Sequence, residues 1–132
     1  MSTPYEQVLV ESREQWRSWL QEHAGSSTGI WLVTWKKGHG PHVGYDDVVD
    51  EALCFGWVDS QPRSIGDARS SRLLTPRRPG SSWSRLNKQR VERLFAAGLM
   101  APAGLAAIAK AQQDGSWAAL DQVEDLHEPA GP

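Results

Sequence analysis

The chain has 132 residues, with 14 Lys and Arg, 16 Asp and Glu, and a formal net charge of −2. This length fits one domain with a single apolar core, and the charge argues against a general nucleic-acid coat protein. No basic patch followed by an apolar run opens the chain, and its longest weakly polar stretch, 96–109, is too short to span a bilayer. We therefore expect a soluble, cytoplasmic protein with no membrane segment.

The first third of the chain predicts one helix between two strands. Residues 8–10 are typical of a short strand. Ser12 and Gln15 have the spacing of a capping box, and apolar residues recur behind them at helical spacing until about residue 24. The β-branched and aromatic run 29–36 then predicts a second strand, and a glycine-rich loop follows it.

The middle of the chain predicts a second helix and a strand pair. Residues 45–55 carry an apolar stripe and an acidic first turn, and Gly56 suits the left-handed position after a helix. An extended segment begins at 57–60, and 70–75 is a candidate antiparallel partner for it.

Two more helices are predicted near the C-terminus. Ser82 or Ser84 caps a third helix over 85–97, and Pro102 fits the first turn of a fourth that reaches Gln113. We expect four inward-facing residues in the third helix: Leu86, Val91, Leu94 and Phe95. The fold class predicted is α+β, a single compact domain of about four helices with a small, mostly antiparallel sheet.

Cations are gathered in one segment. Arg63 to Arg93 holds nine Lys and Arg against two Asp and Glu, whereas the rest of the chain holds five against fourteen. Concentrated charge of one sign attracts partners of the opposite sign. We therefore predict an anion-accepting pocket in this segment, for a small anionic or amide-bearing ligand.

The strongest candidate site lies where this segment enters the third helix. Guanidinium groups suit carboxylate or phosphate, and the first amides of a helix have no internal partner. The predicted ligand-binding residues are Trp57, Ser60, Arg72, Arg77, Arg78, Ser82, Trp83, Ser84 and Asn87. Trp83, placed among Ser and Arg, is a candidate stacking wall. The alternative is structural: Arg77 and Arg78 pair with the acids of the second helix, and Ser84 is only a cap.

Asp59 is the candidate catalytic residue. An acid on an extended segment just past a helix end could act as a general base or accept hydrogen bonds from a ligand. The alternative is an Asx-type turn with Ser60. Its candidate charge partners are Arg63, Arg69 and Arg72.

Other chemistry has weaker support. His39 and His42 lie in one loop, but a metal site usually needs a third ligand, so we predict no metal. We find no phosphate loop or other cofactor motif, so no cofactor is predicted. Cys54 is the single cysteine, which excludes an intramolecular disulfide, and its apolar neighbours indicate a buried thiol.

Several pieces of sequence resemble the small bacterial YdeI/OmpD-associated family, also called the bacteriocin-protection family. They are Gly29-Ile30-Trp31-Leu32, Ala52-Leu53-Cys54-Phe55-Gly56-Trp57-Val58-Asp59-Ser60, Thr75-Pro76-Arg77-Arg78, Ser82-Trp83-Ser84 with Asn87, and Gly98-Leu99-Met100. The resemblance covers nearly all of the chain up to Trp117. It implies one family domain over 1–117. The acidic composition of 118–132 and its final Pro-Ala-Gly-Pro predict a frayed tail after that domain. The resemblance also implies a part in bacteriocin or antimicrobial-peptide resistance and a link to an outer-membrane porin, although the sequence shows no export signal.

Three functional hypotheses follow. The first is a cytoplasmic binding or stress-protection protein with an anion pocket built by Asp59 and the Arg77–Asn87 segment. The second is a cofactor-independent enzyme in which Asp59 is the acid or base and Arg77 or Arg78 holds substrate charge. The third, nucleic-acid binding through the basic segment and Trp83, is disfavoured by the acidic remainder of the chain.

Overall fold

The computed structural model describes residues 5–121, so the predicted tail beyond Asp121 lies outside the described residues. The elements, in chain order, are β1 (Gln7–Leu9), α1 (Arg13–His23), β2 (Ile30–Trp35), α2 (Tyr45–Cys54), β3 (Trp57–Ser64), β4 (Arg69–Pro76), α3 (Arg85–Ala96) and α4 (Pro102–Asp114). The four helices and the four-stranded sheet of this described part confirm the predicted α+β class. Within the described part, no helix is both long and apolar enough to cross a membrane.

The sheet has the strand order β1-β2-β4-β3. β1 pairs with β2 in parallel, and the other two pairings are antiparallel, as the predicted mostly antiparallel sheet requires. β3 and β4 form a hairpin whose register shifts between Asp59 and Pro62. This bulge adds one residue to β3 and twists the strand locally.

One apolar core joins the sheet to all four helices. Alternate strand residues point to one face, so Ile30, Leu32 and Leu74 enter this core, whereas Val33 is buried outside it. Trp16 of α1 lies at the centre with no exposed surface, and its indole N–H donates to the Val48 carbonyl at 3.0 Å. This hydrogen bond satisfies a polar group that would otherwise be buried without a partner.

Helix ends follow the sequence signals closely. Ser12 Oγ accepts from the Gln15 backbone N–H at 3.0 Å, as the predicted capping box requires. The return bond differs, because Gln15 Oε1 accepts from the backbone N–H of Glu11, not from that of Ser12. Gly56 has a φ of 76°, the left-handed conformation that ends α2.

Of the four residues of α3 predicted to face inward, two are buried and two are exposed. Val91 and Leu94 are buried, but Leu86 and Phe95 are 59% and 62% exposed. The buried stripe of α3 is narrow because the side chain of Arg90 occupies part of it, only 11% exposed. Leu86 and Phe95 flank this stripe and remain in contact with solvent.

Four acids of α2 are held by four arginines from the neighbouring helices. Glu51 and Asp50 are buried, with side chains 3% and 4% exposed. Glu51 accepts from Arg13 and Arg17 of α1, and Asp50 accepts from Arg90 and Arg93 of α3. Nearer the surface, Asp47 pairs with Arg13 and Asp46 with Arg90. The network therefore fixes α1 and α3 on the two sides of α2.

We expect removal of one buried acid to be costly. Glu51→Ala leaves Arg13 and Arg17 without their shared carboxylate and should lower the free energy of unfolding by about 3 kcal/mol or more. Asp46→Ala on the same helix is the matched control, because its carboxylate is 78% exposed and should contribute under about 1 kcal/mol. Urea unfolding measures both. Equal losses in the two variants would contradict this account of the network.

Gly104 lets α4 approach α2. A Cβ at this position would collide with the carbonyl oxygen of Cys54, which accepts from the Ala101 N–H at 2.9 Å. Gly104→Ala should therefore destabilise the fold by about 1–3 kcal/mol, since backbone must move to make room. Gly25→Ala is the control, because a Cβ there meets nothing within 4 Å. A Gly104 variant as stable as the Gly25 variant would show that the contact yields freely.

Candidate functional site

Six of the predicted ligand-binding residues line one open groove of about 520 Å³ at the start of α3. They are Ser60, Arg77, Arg78, Ser82, Ser84 and Asn87. We call this feature the α3-entry groove. Its wall also includes Val58 and Leu73, so the groove combines cations and hydroxyls with an apolar side.

The strand ends and the helix cap position these side chains. Val58 and Ser60 of β3 line the groove together because alternate residues of a strand share a face. Beyond β4, the Arg77 backbone N–H donates to the Gly56 carbonyl at 2.9 Å, which holds the loop against the end of α2. Ser84 Oγ accepts from the Asn87 N–H at 3.1 Å, so Ser84 is the predicted cap and its helix begins at the groove.

Arg77 is a partly buried cation without an acid. Its guanidinium lies 3.8 Å from the Trp83 ring centroid, and Nη1 donates to Ser81 Oγ at 3.2 Å and to the Ser82 carbonyl at 3.1 Å. Its buried Nε has no hydrogen-bond partner within residues 5–121. Burial lowers the pKa of Arg77, although a guanidinium remains charged at any physiological pH.

Pairing between these arginines and the α2 acids, the structural alternative, is wrong. The four acids are already bound by arginines of α1 and α3, as described above. Arg78 is exposed and makes no ion pair with any of residues 5–121. Ser84 does act as a cap, but Arg77 and Arg78 both remain without a carboxylate partner in the described part of the chain.

Asp59 does not face the α3-entry groove. Its carboxylate, 14% exposed, accepts from Arg72 Nη1 at 3.1 Å and from the Tyr45 hydroxyl at 3.4 Å. Those partners lie on the opposite side of the sheet from Ser60, because successive strand residues alternate faces. The structure therefore separates Asp59 and Arg72 from Arg77. Of the three candidate charge partners of Asp59, Arg72 is the one in contact.

The Asx-type turn proposed for Asp59 and Ser60 is also wrong. Both residues belong to β3, and Ser60 Oγ donates to the Leu73 carbonyl across the hairpin at 3.5 Å. The extended conformation that the Trp and Val residues favour at 57–58 continues through this pair.

Trp57 and Trp83 are core residues. Each is 1% exposed. Trp57 donates its indole N–H to the Ala24 carbonyl at 3.3 Å, and Trp83 packs against Trp117 with ring centroids 5.0 Å apart. Neither presents a free face on which a ligand could stack. Trp83 instead backs the guanidinium of Arg77 and so helps to position it.

Ser81 is a groove residue that the sequence did not single out. It accepts a hydrogen bond from Arg77 and lines the groove beside Ser82. Two adjacent serines in a loop give no sign of which one faces a neighbouring arginine, so no sequence signal distinguished them.

Other reactive side chains are accounted for. Cys54 is buried as predicted, and burial raises the pKa of its thiol. His42 Nδ1 lies 2.7 Å from the Trp35 carbonyl oxygen. Across residues 5–121, no three His, Cys, Asp or Glu side chains come together as a metal site.

Comparisons with known proteins place the chain in a family without supplying a function. No curated protein and no solved structure matches it. One family model matches residues 8–107, from β1 into α4, and so spans most of the fold described above. The chain belongs to the family described as a domain of unknown function, DUF8412.

Proposed function

We propose that this protein binds a small anionic ligand in the α3-entry groove. One observation carries the proposal: Arg77 and Arg78 line the groove without a carboxylate partner among residues 5–121. Arg90, by contrast, is a largely buried arginine that the fold pairs with two acids, Asp46 and Asp50. Cations left without acids in a concave site are a recognisable mark of anion binding.

Arg77 is ready to bind before a ligand arrives. Its guanidinium is held over Trp83 and bonded to Ser81 and Ser82 on one edge. Fixing this side chain on anion binding would therefore cost less conformational entropy than fixing a mobile surface arginine. The bound anion would also compensate the positive charge of Arg77, which is poorly solvated because the side chain is partly buried.

The remaining polar groups suit the same ligand. Arg78 adds a second, exposed guanidinium, and the start of α3 adds partial positive charge. Ser82 and Asn87 add a hydroxyl and an amide within the groove. Forked guanidinium donors favour carboxylate or phosphate, and the Asn87 amide can also pair with an amide-bearing ligand.

The apolar wall of the groove restricts the class of ligand further. Val58, Leu73 and Pro76 line the groove beside the cations. A ligand with a carboxylate or phosphate at one end and a compact apolar body at the other would use both sides. The proposed ligand is therefore a small organic anion in preference to inorganic phosphate alone.

The resemblance to the YdeI/OmpD-associated family supports a biological setting for this binding. We propose a stress- or antimicrobial-protection role in bacteria, exercised in the cytoplasm through the bound anion. The enzyme hypothesis required Asp59 to face Arg77 or Arg78, and Asp59 instead pairs with Arg72. Nucleic-acid binding required an exposed stacking ring, and Trp83 is buried. Binding without catalysis is therefore the hypothesis that the geometry supports best.

A titration of small carboxylates and inorganic phosphate tests the proposal. In calorimetry, Arg77→Met with Arg78→Met should weaken binding by about tenfold or more, the worth of one charge-assisted hydrogen bond. Methionine keeps an apolar stem over Trp83, so the fold is preserved. Binding should also weaken as salt is added, because Arg78 is exposed.

The control is Arg69→Met, which removes a cation from the same segment but outside the groove. Its affinity should equal that of the wild type. Equal affinity in the double variant and the wild type would overturn the proposal. So would equal weakening in the control, because the effect would then come from net charge alone.

A further inference from the structure

We propose a second small-molecule site on the other side of the sheet, for a small organic carboxylate with a short apolar body. The site is a cleft of about 580 Å³ between the inner faces of β2 and β4 and the chain around Tyr45. We call it the β2–β4 cleft. Its volume falls within the range of about 300–1,000 Å³ that holds small ligands. It shares no lining residue with the α3-entry groove.

The floor of the cleft is polar where the sheet should be apolar. Leu32 of β2 points into the core, and the next residue on that face is Thr34. Thr34 lies directly opposite Ser70 of β4 in the strand register. Both line the cleft. Polar residues at positions that face the core are unfavourable unless they serve a purpose, and here they lie beside an open cavity.

The two hydroxyls are available to a ligand. Within the described residues, neither the Thr34 nor the Ser70 side chain makes a hydrogen bond to the protein. Both sit on regular strands, so their positions are set by the sheet rather than by a loop. Two neighbouring hydroxyls on a rigid floor can donate to the two oxygens of one carboxylate.

Lys36 supplies the charge at the end of the same row. It follows Thr34 by two residues, and its Nζ is held by Ser64 Oγ at 3.2 Å and the Gly66 carbonyl at 3.1 Å. Neither partner is an acid. An ammonium has three donors, so the third remains for an anion.

Arg72 borders the cleft on the adjacent strand and is equally fixed. Its guanidinium lies 4.5 Å from the Tyr45 ring centroid and donates to Asp59. Asp59 compensates Arg72, whereas Lys36 has no acid partner in the described part. The balance of charge around the cleft therefore remains positive and favours an anion.

The apolar side chains that line the cleft accept the apolar part of the ligand. Leu32, Val43 and Val48 line the cleft and are almost fully buried in the core behind it. A carboxylate bound at Thr34, Ser70 and Lys36 would direct a short hydrocarbon chain toward these residues. A neutral alcohol of the same length would keep the apolar contact but lose the charged one.

Butyrate and 1-butanol are the matched probes, followed by amide NMR titration of the full chain. Butyrate should shift the signals of Thr34, Lys36 and Ser70, and butanol should bind at least about tenfold more weakly. Lys36→Met should weaken butyrate binding by about tenfold or more. Lys37→Met is the control, since Lys37 is exposed and lies outside the cleft, and it should leave the affinity unchanged.

A second variant tests the floor separately. Thr34→Val with Ser70→Ala removes both hydroxyls with little change in shape and no change in charge, and should also weaken butyrate binding several-fold. Equal affinity in the Lys36 and Lys37 variants would overturn the second site. Butyrate shifts confined to residues around Arg77 and Arg78 would do the same while leaving the α3-entry groove intact as an anion site.

Discussion

The acids of α2 are the constraint on which the rest of the structure depends. Asp50 and Glu51 are charged groups inside a small core, and each is stable there only because two arginines surround it. These contacts bind α1 and α3 to the sides of α2, and α2 in turn covers the sheet. These ion pairs affect the candidate site only indirectly. Because arginines of α1 and α3 neutralise these acids, no acid of α2 is left for the arginines of the loop before α3.

The sheet then separates the α3-entry groove from the β2–β4 cleft, and both concavities carry cations. Strand alternation sends Ser60 to the α3-entry groove and Asp59 to the opposite face with Arg72. The first concavity is built by a loop and a helix start, and its arginines are positioned by packing on Trp83. The second is built on regular strands, and its donors are positioned by backbone pairing. A single small fold thus holds charged donors by two independent means.

Local signals predicted the elements well, and the site only in part. Ser12 and Ser84 cap their helices, and Gly56 ends α2, because caps and stops depend on near neighbours in sequence. Grouping Arg77, Arg78 and Asn87 was possible because they belong to one short stretch of the chain, the loop before α3 and the first turn of that helix. The separation of Asp59 from these residues could not be predicted in the same way, because it depends on which face of β3 each strand residue occupies. The partners of the α2 acids come from residues 34 to 44 positions away, and helical periodicity carries no information on such pairings.

The two edges of the sheet bear on how the protein behaves at high concentration. One edge, β1, has only three residues, and the other, β3, contains Pro62 and a register shift. Proline cannot donate to a ladder, and a bulged or very short strand offers few groups in regular array. Neither border is therefore a good template for an added strand, so aggregation through edge-to-edge pairing is disfavoured by the backbone itself.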